Sequence, residues 1–324
     1  MTDQKKVIVL CRIPEDVVAR LDRDYDATFN QENVPHDAAQ IIAAALGQDA
    51  LVTTSTNKMT AEVIAGLSDS VRIIANFSVG YEHIDIDAAR ARGLIVTNTP
   101  DVLTEATADT AMLHLLGAAR RATEGAALIR EGGWVGSVLD FNLGVDLANK
   151  KLGVLGMGRI GQALAHRAAA FGMEVHYHNR NRLDAAREAY AGNAVYHTDS
   201  DSLLEISQFL SIHSPLTPET HHFLNAERIA KMPDGAIVVN TSRGDVVNDE
   251  ALIAALKSGK LRGAGLDVFS AEPNINPGYH DLKNVFMLPH IGSATVETRN
   301  AMGFCAVDNL DAYFAGKPPL TAVT

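Results

Sequence analysis

Lys151-Leu-Gly-Val-Leu-Gly156-Met-Gly158-Arg159-Ile160-Gly161 reads as a buried strand running into a glycine turn that opens a helix. Gly156 permits the tight turn. Gly158 removes the Cβ that would block a pyrophosphate, and Gly161 lets the new helix pack close to its strand. A pyrophosphate placed there meets the first amides of the helix, those of Arg159 and Ile160, and the positive end of the helix dipole. The apolar run Leu152–Leu155 precedes the turn, a helical tract Ala163–Phe171 follows it, and a second apolar strand Met173–His178 comes next. The stretch therefore predicts a dinucleotide-binding βαβ unit.

The exit of that second strand indicates which dinucleotide is bound, because an acidic residue about 20 positions after the glycines normally holds the adenosine ribose 2′-OH. The segment here is Val175-His-Tyr-His-Asn179-Arg180-Asn181-Arg182, with no acid. A carboxylate would repel a 2′-phosphate, whereas Asn179 donates and the guanidiniums of Arg180 and Arg182 match phosphate oxygens as forks. NADP(H) is the expected cofactor, with NAD(H) possible.

Outward from the cradle, short apolar runs alternate with helical segments along the whole chain. Before it come Val7–Leu10, Glu15–Leu21, Ile41–Leu46, Leu51–Val52, Ala61–Leu67, Val71–Ala75, Ala88–Arg92 and Leu94–Val96. After it, Phe209–Ile212, Ala236–Val239, Gly263–Val268 and Val285–Leu288 are strand candidates, and a last helix spans 295–314. This alternation is the signature of parallel sheets with crossover helices, and it predicts two α/β doubly wound units. Asn98-Thr-Pro100 breaks the pattern and marks the first domain boundary. A helical tract with Ala111, Leu115 and Ala118 at helical spacing is then expected over 104–130.

At 324 residues the chain has room for two cores, and 28 basic against 39 acidic side chains give a formal charge of −11. With no dense basic block, nucleic acid is a poor partner. Cys11 and Cys305 stand far apart in no ligand spacing, which suits a reducing compartment. No stretch approaches the ~18 apolar residues of a membrane span, and a cytoplasmic location is expected. His176, His178, His221 and His222 have no accompanying carboxylate pattern, so no metal is expected.

In doubly wound sheets ligands sit beyond the carboxyl ends of the strands, so strand exits are where chemistry is sought. Asn240-Thr-Ser242-Arg243-Gly-Asp245 places a guanidinium at one exit, where it can fork onto a carboxylate. Gly265-Leu-Asp267-Val-Phe-Ser-Ala-Glu272-Pro leaves the next with two acids. Leu288-Pro-His290-Ile-Gly292-Ser293 leaves the last with an imidazole, and a histidine with a carboxylate partner is a natural proton donor.

Together with Asn76-Phe-Ser-Val79-Gly80-Tyr-Glu-His-Ile-Asp85, these motifs resemble the D-2-hydroxyacid dehydrogenase family over essentially the full chain. Within it the chain looks most like the glyoxylate and hydroxypyruvate reductases and glycerate dehydrogenases. The resemblance implies a flavodoxin-like substrate domain, 1–98 with 292–324, and an inserted Rossmann dinucleotide-binding domain, 99–291. It implies a homodimer in which the 131–150 region reaches the partner, and Trp134 matches a family aromatic that can reach the partner's active site. Carried over by position, His290 is the general acid and Glu272 steadies its imidazolium. Arg243 clamps the substrate carboxylate with help from the backbone N–H groups near Val79 and Gly80. Asp267 holds the nicotinamide carboxamide, while Ser242 and Gly292 border the cofactor. The formate dehydrogenases of the wider group have glutamine where Glu272 stands, so Glu272 argues against their reaction.

The implied activity is NADPH-dependent reduction of glyoxylate and hydroxypyruvate, small 2-oxo acids, to glycolate and D-glycerate. An NADH-linked D-2-hydroxyacid dehydrogenase of other substrate preference is the alternative within enzymes. A dinucleotide-sensing corepressor is the alternative outside them.

Overall fold

The computed structural model describes residues 4–324. They divide into two compact units. One runs to Leu103 and resumes over Ala294–Thr324, and the other is Thr104–Ser293. The chain leaves the first unit a few residues beyond Asn98-Thr-Pro100, because Asn98 and Thr99 are still hydrogen-bonded to Thr321 and Ser78 of that unit.

The first unit is a five-stranded parallel sheet of β1 (Lys6–Val9), β2 (Asp26–Phe29), β3 (Ala50–Thr53), β4 (Ile73–Asn76) and β5 (Ile95–Thr97), in the order β2-β1-β3-β4-β5. This is the flavodoxin-like order. β3 and β4 are buried along their whole length, as strands covered on both faces must be. Short crossover helices are fixed at their starts by side chains: Asp85 accepts from the Ala88 amide and Thr60 from that of Val63. Each such cap contributes about 1 kcal/mol. Gly93, at φ +68, ends the helix Ile86–Arg92 in the left-handed conformation.

The second unit holds β6 (Lys151–Leu155), β7 (Glu174–His178), β8 (Val195–Tyr196), β9 (Phe209–Ile212), β10 (Ala236–Asn240), β11 (Leu261–Leu266) and β12 (Val285–Met287). Their order is β12-β11-β10-β9-β6-β7-β8, all parallel. Chain order reverses direction between β6 and β9. That is the topological switch point of a Rossmann sheet, where a ligand crevice is expected. Apolar clusters cover both faces, one containing Leu152, Val154, Leu164 and Leu115, the other Leu210, Val238, Leu252 and Leu266.

The tract expected to be one helix over 104–130 is two, Thr104–Ala119 and Ala122–Arg130. Arg121, at φ +52, breaks it and its guanidinium bonds Glu124 one turn on. A left-handed residue cannot continue a right-handed helix. Ala111, Leu115 and Ala118 are buried as their spacing predicts. No helix among the described residues is long and apolar enough to cross a membrane.

Candidate active site

The glycine turn sits at the switch point. Gly156 has φ +92, and a Cβ there would lie 2.7 Å from the Ser214 amide nitrogen just beyond β9. A Cβ on Gly161 would lie 2.3 Å from the Gly156 carbonyl oxygen, so both glycines are sterically required. A Cβ on Gly158 would meet nothing within 4 Å. Here the missing side chain keeps a space open beside the backbone. The helix Arg159–Ala170 starts at Gly158 with no side-chain cap, whereas the helices Ala226–Lys231 and Asp249–Ser258 are capped by Asn225 and Asn248. An uncapped first turn with Arg159 and Ile160 beside an open space fits a dinucleotide pyrophosphate.

At the exit of β7, Asn179 bonds the Asn181 carbonyl through Nδ2 at 3.1 Å, and Arg180 is exposed. Arg182 is engaged: its Nε and Nη2 fork onto Glu188 at 2.8 and 3.0 Å, and Tyr177 donates to the same carboxylate. Of the two arginines read from the sequence, Arg182 is forked onto a carboxylate, while Arg180 is exposed with its charge near Glu219. Arg182 would have to exchange Glu188 for a phosphate.

The three strand exits converge within this unit. After β10, Asn240 accepts from the Ser242 amide and hydroxyl through Oδ1 and donates to the Arg243 carbonyl, at 2.8–3.0 Å, which fixes the loop under Arg243. A Cβ on Gly244 would lie 1.9 Å from the Phe269 carbonyl carbon, so any side chain there would drive the two loops apart. The Arg243 charge also acts on Glu272, beyond β11, and lowers the pKa of its carboxyl. One Glu272 oxygen accepts the Phe269 amide at 2.8 Å, and the other takes His290 Nδ1 at 2.7 Å. Burial pushes the Glu272 carboxyl up, but the bond and charge of His290, the Phe269 amide and Arg243 together hold it below its ordinary value.

An ionised carboxylate only accepts, so Nδ1 of His290 carries the shared proton and Nε2 takes no part in the Glu272 bond. His290 (φ +53) and Ala271 (φ +56) both lie in the left-handed region, an outlier conformation for side-chain-bearing residues that clusters at functional sites.

Asp267 is almost fully buried, and its oxygens accept the amides of Ile291 and Gly292 at 2.9 and 2.7 Å. Sequence reasoning gave Asp267 a cofactor role and missed this one, which fastens the loop carrying His290 from behind. Val79 and Gly80 belong to the other unit, at the exit of β4. Their carbonyls accept from Asn98 Nδ2 at 2.9 Å and Asn76 Nδ2 at 3.0 Å.

The pair His221 and His222 does acquire a carboxylate in space, since ligand atoms of both and of Asp245 lie within 4.8 Å of one another. Chain distance hid it. His222 Nδ1 already contacts Asn248 Nδ2 at 3.4 Å and Asp245 accepts the Ser270 hydroxyl, so two of the three groups are tying loops together. His176 and His178 are likewise engaged, with the ring and the carbonyl of His197.

Residues 112–292 match the family described as D-isomer specific 2-hydroxyacid dehydrogenase, NAD binding domain. The chain is 45% identical over 313 residues to the glycerate dehydrogenase of Hyphomicrobium methylovorum, covering 97% of each. It is 42% identical over 318 residues to the glyoxylate reductase of Thermococcus litoralis, covering 97% of this chain and 95% of that one. The solved NADPH-dependent glyoxylate/hydroxypyruvate reductase of Sinorhizobium meliloti, in complex with NADP and malonate, superposes with a TM-score of 0.88 at 34% identity, over 99% of this chain and 97% of that one. With the nucleotide cradle, the converging strand exits and these full-length likenesses in agreement, the chain belongs to the D-isomer specific 2-hydroxyacid dehydrogenases, enzymes dependent on NAD(P).

Proposed function

We propose that the chain reduces glyoxylate and hydroxypyruvate to glycolate and D-glycerate, with NADPH preferred over NADH. The observation that carries this reading is the His290–Glu272 pair at 2.7 Å with Arg243 on the adjoining strand exit, an acid and a carboxylate clamp in one place. The dinucleotide, when bound, supplies the hydride.

The chain's own residues do the rest. Arg243 forks onto the carboxylate of the 2-oxo acid and fixes which carbonyl face is presented. The protonated Nε2 of His290 donates to the ketone oxygen as charge builds there, and Glu272 at Nδ1 stabilises the imidazolium before transfer and holds the ring in orientation. In the reverse direction the neutral Nε2 accepts the proton of the hydroxy acid. The backbone amides near Val79 and Gly80 are substrate-binding groups in this reading, as the family resemblance implies.

Gly156, Gly158, Arg159, Ile160 and Gly161 hold the pyrophosphate. Asn179 and Arg180 meet the 2′-phosphate. Names given to relatives support the substrates, and the Sinorhizobium reductase, described as NADPH-dependent, supports the cofactor. The Glu188 fork on Arg182 favours the NADH reading to the extent that it removes one phosphate ligand.

The same reading makes the enzyme a homodimer through the exposed apolar arm that carries Trp134, Val135, Leu139 and Phe141. Val135 is 94% and Leu139 96% exposed, and a run of exposed apolar side chains of this kind marks an interaction surface.

Replacing Asn179 with Asp tests the cofactor assignment. The new carboxylate repels a 2′-phosphate and accepts from a ribose hydroxyl, so the NADPH/NADH ratio of kcat/KM should fall by about tenfold or more, the factor for ~1.4 kcal/mol. An unchanged ratio in paired initial-rate assays would show that β7 does not end at the adenosine ribose.

A further inference from the structure

The helix Thr104–Ala119 is buried along most of its length among Ala108, Ala111, Met112 and Leu115. An apolar side chain at 114 would complete that layer. His114 stands there instead, with no exposed surface, and neither ring nitrogen has a hydrogen-bond partner among the described residues. A buried polar group with no partner is destabilising, so its presence calls for a reason outside packing.

The surroundings supply one. A Cβ on Gly265 would lie 2.7 Å from the His114 Cβ, so the bare glycine of β11 lets the helix approach closely at this point. Gly265 and Asp267 are two residues apart and so face the same side of the chain. The imidazole accordingly lies beneath the carboxylate, with His114 Nε2 3.9 Å from Asp267 Oδ1. Phe286 closes the ring's other side edge-on, at 5.3 Å between centroids. Asp267 in turn holds the Ile291 and Gly292 amides, the two residues after His290.

We propose that His114 is a positioning residue: its Nε2–H donates to Asp267 Oδ1, locking the carboxylate that anchors the His290 loop. The separation exceeds a normal N–H···O bond by about 1 Å, so a small turn of the ring or the carboxylate closes it. The consequence for turnover rests on reading His290 as the proton donor; the consequence for the loop does not.

His114→Leu keeps the packing against Phe286 and removes the donor, and His114→Met is a second, unbranched apolar replacement. His114→Gln restores a donor near the Nε2 position. Three quantities are read on the full-length protein: hydrogen exchange of the Ile291 and Gly292 amides without cofactor, kcat and KM for glyoxylate with NADPH, and Tm.

In the apolar variants the two amides should exchange about 5–10-fold faster and kcat should fall by a similar factor, the loss of one modest hydrogen bond, with KM for glyoxylate within about twofold and Tm unchanged or higher. His114→Gln should return both quantities to about twofold of wild type. Unchanged amide exchange in both apolar variants would overturn the proposal, as would equal losses in all three. If wild-type protein does not reduce glyoxylate, the His290 reading fails while the amide exchange still decides the role of His114.

Discussion

His290→Ala should lower kcat for glyoxylate reduction by about 10²–10⁴-fold, the range over which a positioned general acid acts, while the dissociation constant for NADPH changes little. The reason for the split is anatomical. The ring delivers a proton through Nε2, but the loop is held by the Ile291 and Gly292 amides on Asp267, which alanine at 290 leaves in place. Alanine is less at home at φ +53 than histidine, but the two amide bonds to Asp267 still hold the loop. The loss corresponds to ~3–5 kcal/mol of transition-state stabilisation. Glu272, deprived of the imidazole, keeps the Phe269 amide and the Arg243 charge, so the variant should fold normally. Stopped-flow turnover with parallel NADPH fluorescence titration separates the two quantities. A kcat within threefold or so of wild type would remove His290 from the chemistry.

Arg243→Gln should be nearly as damaging, with a different signature. A guanidinium fork on a carboxylate is two charge-assisted bonds, of about 1.5–3 kcal/mol each. Replacing it with one neutral amide should raise KM for the 2-oxo acid by about 10–100-fold and also lower kcat, because an unfixed substrate no longer presents its ketone to His290 Nε2. The charge matters a second time, since Arg243 helps to hold the Glu272 carboxyl below its ordinary value. Its removal weakens the ionised partner of His290, and activity should begin to fall at a higher pH on the acid side than in wild type. Saturation kinetics from the acid side through neutrality measure both effects. An unchanged KM would show that the substrate carboxylate lies elsewhere.

The strand exits were legible in the sequence because parallel sheets write them plainly. Buried runs such as Phe209–Ile212 and 236–239 are mostly apolar, and a polar residue follows each, His213 and Asn240. Glycines with a steric duty were legible too, since Gly156 and Gly161 are required by backbone contacts that follow from the motif.

What escaped the sequence was weakly patterned or distant in the chain. β2, with Asp26 and Phe29 at its ends, is a half-exposed edge strand of four residues, and β8 has two, so neither carries a periodicity. The break at Arg121 sits between good helix formers and is made by one backbone conformation. Glu188 as the partner of Arg182, Asp245 beside His221 and His222, and Asp267 behind Ile291 and Gly292 are all meetings created by the fold. His114 could have been flagged as a lone polar residue in an apolar helix, but only the approach at Gly265 reveals what it faces.

The most direct test of the reductase assignment is the initial rate at which the purified wild-type protein oxidises NADPH in the presence of glyoxylate, repeated with hydroxypyruvate and then with NADH at matched concentrations. Rapid oxidation of NADPH with both acids, slower with NADH, is the predicted result. No oxidation of either dinucleotide with either acid would contradict it.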